Sequence, residues 1–193
     1  GPCNGGHRPP LTRAPPSDGR SRLPNGRGLF RQQPKVASSA HFGCRIVEGL
    51  AKGSPDGSLL LGLGDRYSER ASAQALDTHL GKVVRVNKDG SVPADNPFVG
   101  RAKALPEVYS WGHRNIQGAT RDGQGRLWMI EHGPQGGDEL NRIEPGVNYG
   151  WPVITYGENY GGGKIGGTHK SGMAQPVLQW TPSFAPSGLA WLG

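Results

Sequence analysis

The chain has 193 residues, with 33 Gly, 17 Pro, 2 Cys and 34% hydrophobic residues, so a disulfide-stapled scaffold is excluded. No apolar run approaches the ~18 residues of a membrane span, and the N-terminus shows no apolar secretory leader. The net charge is +7, but residues 1–36 carry +6 of it; the body has no basic stripe interleaved with aromatics, so nucleic-acid binding would rest on the tail alone.

Residues 1–28 contain only Leu11 and Leu23 as large apolar residues. Such a segment cannot bury enough surface to offset its ordering entropy and reads as disordered. Its Arg/Pro/Gly-rich text is also what a GC-rich frame gives when translated out of phase, so a frame-shifted segment is the sharper reading. From Leu29 the texture changes to short apolar runs bounded by Gly, Asp, Asn and Pro. Ser58–Leu63 follows a turn at Pro55-Asp56-Gly57. Lys82–Val86 alternates and ends at a hairpin signal, Asn87-Lys88-Asp89-Gly90. Arg126–Ile130 follows a turn at Asp122-Gly123, and Glu139–Ile143 ends at Glu144-Pro145-Gly146. Only Ser68–Leu80 is a candidate helix. The chain reads as all-β.

A repeat of about 70–75 residues links three glycine-marked segments. Gly43–Val47 leads through a turn to a strand ending Gly64-Asp65. Gly118–Thr120 leads through a turn to a strand ending His132-Gly133. Ser187–Trp191 looks like the opening of a third copy. This pattern suggests a partial β-propeller, about two blades plus the start of another, with open edges because closure needs at least ~4 blades.

Four loops carry chemistry. Ser38–Gly43 places His41 among small residues, where a neutral imidazole suits a general base; on spacing alone a hydrogen-bonded structural His is the favoured alternative. Trp111–Gly118 sets Arg114 beside Asn115, a pair suited to an acidic, oxygen-rich ligand or, about equally, to a turn capping its neighbours. Glu131–Glu139 is a Gly-rich turn with three carboxylates. Mixed carboxylate and carbonyl ligands suit Ca2+, although a solvated turn is the simpler account. Asn148–Tyr160 is the fourth loop. Gly161-Gly162-Gly163-Lys164-Ile165 is not a P-loop, since Ile165 stands where Ser/Thr must hold Mg2+.

Taken together, FRQQPKVASSAHFGCRIV, GLGDR, HLGKVVRVNKDGSVPADNPFVG, LPEVYSWGHRNIQGA, EHGPQGGDELN and GVNYGWPVITYGENY resemble the soluble aldose sugar dehydrogenases of the glucose/sorbosone dehydrogenase family. The resemblance covers residues 29–193. It implies a partial six-bladed β-propeller there, with pyrroloquinoline quinone (PQQ) and Ca2+ on its axis. The implied reaction oxidises an aldose at the anomeric carbon to the lactone, with electrons passing on to an external acceptor. His41 matches the family's base, and Arg114 and Asn115 match the pair on PQQ oxygens, Arg114 also stabilising developing charge. Gly133 and Pro134 match carbonyl ligands of the active-site Ca2+, and Asp138 matches an acidic residue nearby. Glu139 and Tyr149 match ligands of a structural Ca2+, and Tyr160 a PQQ-contacting tyrosine. The resemblance further implies a periplasmic or secreted bacterial enzyme, admits a homodimer, and implies neither a membrane span nor a nucleic-acid partner.

The departures from the family are specific. Cys44 stands where the family usually has Gly, at a stability cost if that backbone needs a positive φ. Residues 47–56 are longer than the usual strand connection. The blades carrying a PQQ-binding Gln and the basic residues for the PQQ carboxylates have no counterpart here, so this chain alone is expected to be inactive. A non-catalytic propeller module on the same scaffold is the alternative.

Overall fold

The computed structural model describes residues 10–13 and 27–193. Strands β1 (Pro10–Arg13) and β2 (Arg27–Arg31) pair antiparallel; the rest of the segment expected to be disordered lies outside the described residues. Two four-stranded antiparallel sheets follow. The first comprises β3 (Gly43–Ala51), β4 (Ser54–Leu63), β5 (Lys82–Asn87) and β6 (Val108–Trp111), in chain order. The second comprises β7 (Ile116–Arg121), β8 (Leu127–Glu131), β9 (Asp138–Ile143) and β10 (Leu178–Trp180), again in chain order. The first strands of the two sheets, β3 and β7, lie against each other.

The apolar run in β4 is continuous because both faces are covered. Leu60 joins Val83, Ile116, Leu127, Met129, Ile143 and Tyr149 between the sheets. Leu61 and Leu63 face the other way and pack with Phe30, Val84 and Val86, so β2 covers the outer face. Each fully buried side chain of this kind contributes about 1.5–3 kcal/mol.

The structure corrects three local expectations. The first turn lies at Lys52–Gly53, where Ala51 pairs with Ser54, rather than at residues 55–57. Both loop residues have positive φ, 50° and 79°, as a two-residue type I′ hairpin requires. Asp56 is therefore a strand residue, accepting from Ser58 N–H and Arg85 Nη2, each at 2.8 Å. The turn after β5 forms, with Asn87 N–H donating to Ser91 O at 2.8 Å, but no hairpin follows, since the next strand starts at Val108. In the candidate helix only Arg70–Gln74 is helical, as a 3-10 turn. The third repeat copy is not a strand, yet a Cβ on Gly118 of β7 would lie 2.8 Å from Leu189 N. Residues 188–189 thus pass close beside β7.

Cys44 has φ 86° and sits at a bulge where the β3–β4 register shifts. Bulge residues of this hand favour glycine, and an L-residue there costs about 1–2 kcal/mol. Cys44 is also disulfide-bonded, so the strain is isolated by comparing reduced proteins. Under reductant, Cys44→Gly is expected to gain about 1 kcal/mol, a Tm rise of about 2–4 °C. An unchanged or lower Tm in thermal melts would count against strain at this bulge.

Candidate active site

The loop before β3 and the end of β4 meet at His41 and Asp65. Gly64 allows the approach: a Cβ there would fall 2.0 Å from His41 O. His41 Nδ1 lies 2.6 Å from Asp65 Oδ1. The same oxygen accepts Tyr67 N–H at 2.8 Å, and Oδ2 accepts the Trp151 indole N–H at 2.7 Å. Asp65 is fully buried. A carboxylate on Nδ1 fixes the tautomer with the proton on that nitrogen and leaves Nε2 as an acceptor. The His41 loop is pinned from beneath by Arg66, whose buried guanidinium donates to Ala40 O at 3.1 Å and to Ser38 O, and stacks 3.9 Å from the Phe42 ring. His41, Arg66 and Tyr67 all have positive φ, a concentration of backbone strain typical of functional sites.

His41, Asp65 and Tyr67 line a cavity of about 220 Å³ together with Arg114, Pro134, Trp151 and Tyr160. Four of the sequence-derived candidates, His41, Arg114, Pro134 and Tyr160, therefore meet in one place. Tyr160 is at the mouth, 62% exposed. Asn115 is adjacent but does not line the cavity; its Oδ1 accepts Gly43 N–H at 3.3 Å and Gln117 Nε2 at 2.9 Å.

Arg114 is buried between the β6–β7 connection and the 131–137 turn. Its Nη1 donates to His132 O at 3.0 Å and Gly133 O at 2.5 Å, while its Nε has no partner. No ion pair to Arg114 is found among the described residues. A buried guanidinium with an unmet donor at a cavity wall fits an anionic, oxygen-rich ligand. Glu131 holds the backbone of this residue, accepting Arg114 N–H at 2.5 Å through Oε2 and binding His113 Nδ1 at 2.9 Å through Oε1.

A second, water-sized cavity of about 10 Å³ lies behind Arg114, lined by Glu131, Gly133, Glu139 and Thr155 among others. Burial and the neighbouring Glu131 carboxylate both push the Glu139 carboxyl up. Two carboxylates sharing one small cavity suit a hard cation, and the remaining ligands would be carbonyl or hydroxyl oxygens. No group of three His, Cys, Asp or Glu converges among the described residues, so carbonyls would be essential. Of the two carbonyls that the resemblance implies as ligands, that of Gly133 accepts from Arg114. The Tyr149 side chain is a core element: its hydroxyl donates to Arg142 O at 2.6 Å and accepts Glu144 N–H at 2.9 Å, and its ring stacks on His113. Only its backbone could serve a metal. Asp138 is saturated as well, accepting Gly133 N–H at 2.9 Å, Ser183 Oγ at 2.7 Å and the Phe184 and Ala185 N–H groups at 3.0 Å each. It clamps the turn to the 183–185 segment.

Asp65 and Trp151 line the cavity but are not among the candidates that the sequence singles out. The available signal for Asp65 was an acid closing a buried apolar strand.

The glucose/sorbosone dehydrogenase family model matches residues 3–193. The aldose sugar dehydrogenase YliI of Escherichia coli is 43% identical over 180 residues, covering 91% of this chain and 47% of that protein. The crystal structure of the soluble aldose sugar dehydrogenase from E. coli, in its apo-form, superposes with a TM-score of 0.81 at 43% identity, over 89% of this chain and 49% of that one. The PQQ-bound aldose sugar dehydrogenase from Streptomyces coelicolor superposes with a TM-score of 0.65 at 38% identity, over 84% and 42%. The chain thus spans about half the length of the curated relatives it matches. Because the family model spans residues 3–193, the chain belongs to the glucose/sorbosone dehydrogenase family.

Proposed function

We propose that the chain forms part of a six-bladed β-propeller PQQ-dependent sugar dehydrogenase that oxidises aldoses at the anomeric carbon to lactones and passes electrons to an external acceptor. The observation that carries this reading is the His41–Asp65 pair opening onto the same cavity as Arg114. Bound PQQ would supply the two-electron, hydride-accepting chemistry, held through Arg114, Asn115 and Tyr160. Ca2+ at Gly133 and Pro134 would act as a Lewis acid, with Arg114 yielding the Gly133 carbonyl; a second Ca2+ would use Glu139 and the Tyr149 carbonyl in a structural role. His41 Nε2 takes the proton of the anomeric hydroxyl, because Nδ1 is committed to Asp65. The Arg114 guanidinium stabilises negative charge developing on an oxygen beside it. A periplasmic or secreted setting goes with this reading as an expectation from the family resemblance; no helix among the described residues is long and apolar enough to cross a membrane.

The test is His41→Asn in a chain of the relatives' full length, loaded with PQQ and Ca2+ and assayed by dye reduction with glucose. General base removal is expected to lower kcat by about 10²–10⁴-fold with PQQ affinity unchanged. Undiminished kcat would remove His41 from the role of base. PQQ binding without turnover in the unsubstituted protein would favour the non-catalytic module.

A further inference from the structure

Asp65 is fully buried, and both of its carboxylate oxygens are engaged. A carboxylate held through one oxygen alone turns readily about its last torsion, because terminal sp3–sp2 rotations are broad. Oδ1 faces His41 and the backbone of Tyr67; the second oxygen is held by the Trp151 indole N–H at 2.7 Å. Trp151 comes from a segment far along the chain, 86 residues away. It is itself fixed at both backbone ends: its N–H donates to Gly112 O at 2.9 Å, and its carbonyl accepts Gln74 Nε2 at 2.8 Å. The Arg114 guanidinium lies 5.3 Å from the ring of the same residue.

We infer that Trp151 is a positioning residue for the His41–Asp65 pair: its indole N–H sets the plane of the Asp65 carboxylate. For its kinetic consequence this rests on the proposed role of His41 as base; the structural statement does not. Trp128 provides a matched control. Its indole N–H donates to Asp122 Oδ2 at 2.8 Å in the β7–β8 turn, the same bond type at a place away from the cavity.

The first readout needs neither cofactor nor substrate. A short imidazole-to-carboxylate hydrogen bond gives a far-downfield proton resonance, and His41→Gln identifies the one from His41. Trp151→Phe keeps an aromatic ring, though a smaller one, and removes the donor. It is expected to shift that resonance and speed its exchange with water about tenfold or more, whereas Trp128→Phe leaves it in place. A resonance unmoved and equally protected in Trp151→Phe overturns the inference. If Trp151→Phe does not fold, Asp65→Asn with Trp151 intact answers instead. The Trp151 indole resonance is expected to move on Asp65→Asn while that of Trp128 stays put, and an unmoved Trp151 resonance overturns the inference. In the loaded full-length protein, Trp151→Phe is expected to lower kcat about tenfold with KM within about twofold, as for a group that acts on the transition state through another. If His41→Asn keeps its turnover while Trp151→Phe still moves the His41 proton, the base role fails and the positioning role stands.

Discussion

Asp65→Asn is expected to lower kcat by about 10³–10⁴-fold while the protein stays folded, the largest effect of any single atom exchange in this site. The reason is the direction of the hydrogen bonds. Both Asp65 oxygens only accept, from His41 Nδ1, Tyr67 N–H and the Trp151 indole. A side-chain amide offers one oxygen and one NH2. If the NH2 faces His41, the imidazole must place its remaining proton on Nε2 and can no longer accept one from a sugar. If the NH2 faces Trp151, two donors oppose each other in a buried site, at a cost of about 1–3 kcal/mol. The first arrangement abolishes the base and the second weakens the pair, so a rate loss follows in both. Dye-reduction kinetics of the loaded full-length protein, paired with near-UV circular dichroism to verify the fold, provide the check. A kcat within tenfold of the unsubstituted protein would mean that Asp65 does not set the state of His41.

How much of this was legible in the residues depends on the range of the contact. The strands Ser58–Leu63, Lys82–Val86 and Glu139–Ile143 fall within β4, β5 and β9 because burial there follows local apolar patterning. The turn falls at Lys52–Gly53 although Pro55-Asp56-Gly57 has stronger turn chemistry on its own. Pairing of β3 with β4 overrides it, and Arg85 accommodates Asp56 inside the strand. The loop holding His41 could be picked out, but spacing alone favoured a structural histidine. What turns it into a candidate base is Asp65, 24 residues on, and Trp151, 86 residues beyond that; no local pattern joins them. The roles of Gly133, Pro134 and Asn115 came from family resemblance, and the structure adds that the Gly133 carbonyl and Asn115 Oδ1 already have donors.

Lys82 shows the same limit and carries the second large effect. In the alternating run KVVRV it reads as an ordinary strand-end lysine, yet it is fully buried. Its Nζ donates to Leu80 O at 2.6 Å, Ser72 O at 2.9 Å and Ala73 O at 3.1 Å. It thereby ties β5 to the 3-10 turn whose Gln74 holds the Trp151 carbonyl. Burial pulls the Lys82 ammonium down to about 7, with Asp77 opposing, against about 10.4 in an unfolded chain. Below pH 7 both states are protonated and the folded state bears the whole cost of burying the charge. Between pH 7 and about 10.4 the unfolded state binds more protons, so stability rises with pH, by up to about 1.4 kcal/mol per unit. Lys82→Met removes that rise. It also strips Leu80 O of this donor, at about 1–3 kcal/mol, whereas Ser72 O and Ala73 O keep the Ala75 and Gly112 N–H groups at 3.1 and 3.0 Å. Denaturant unfolding is therefore expected to show Lys82→Met less stable by about 2–4 kcal/mol at pH 9.5, with the gap closing towards pH 6. Every other titrating group is common to the two proteins and cancels in the difference. Parallel stability curves across that range would mean that the lysine stays charged throughout, its three carbonyl acceptors outweighing its burial.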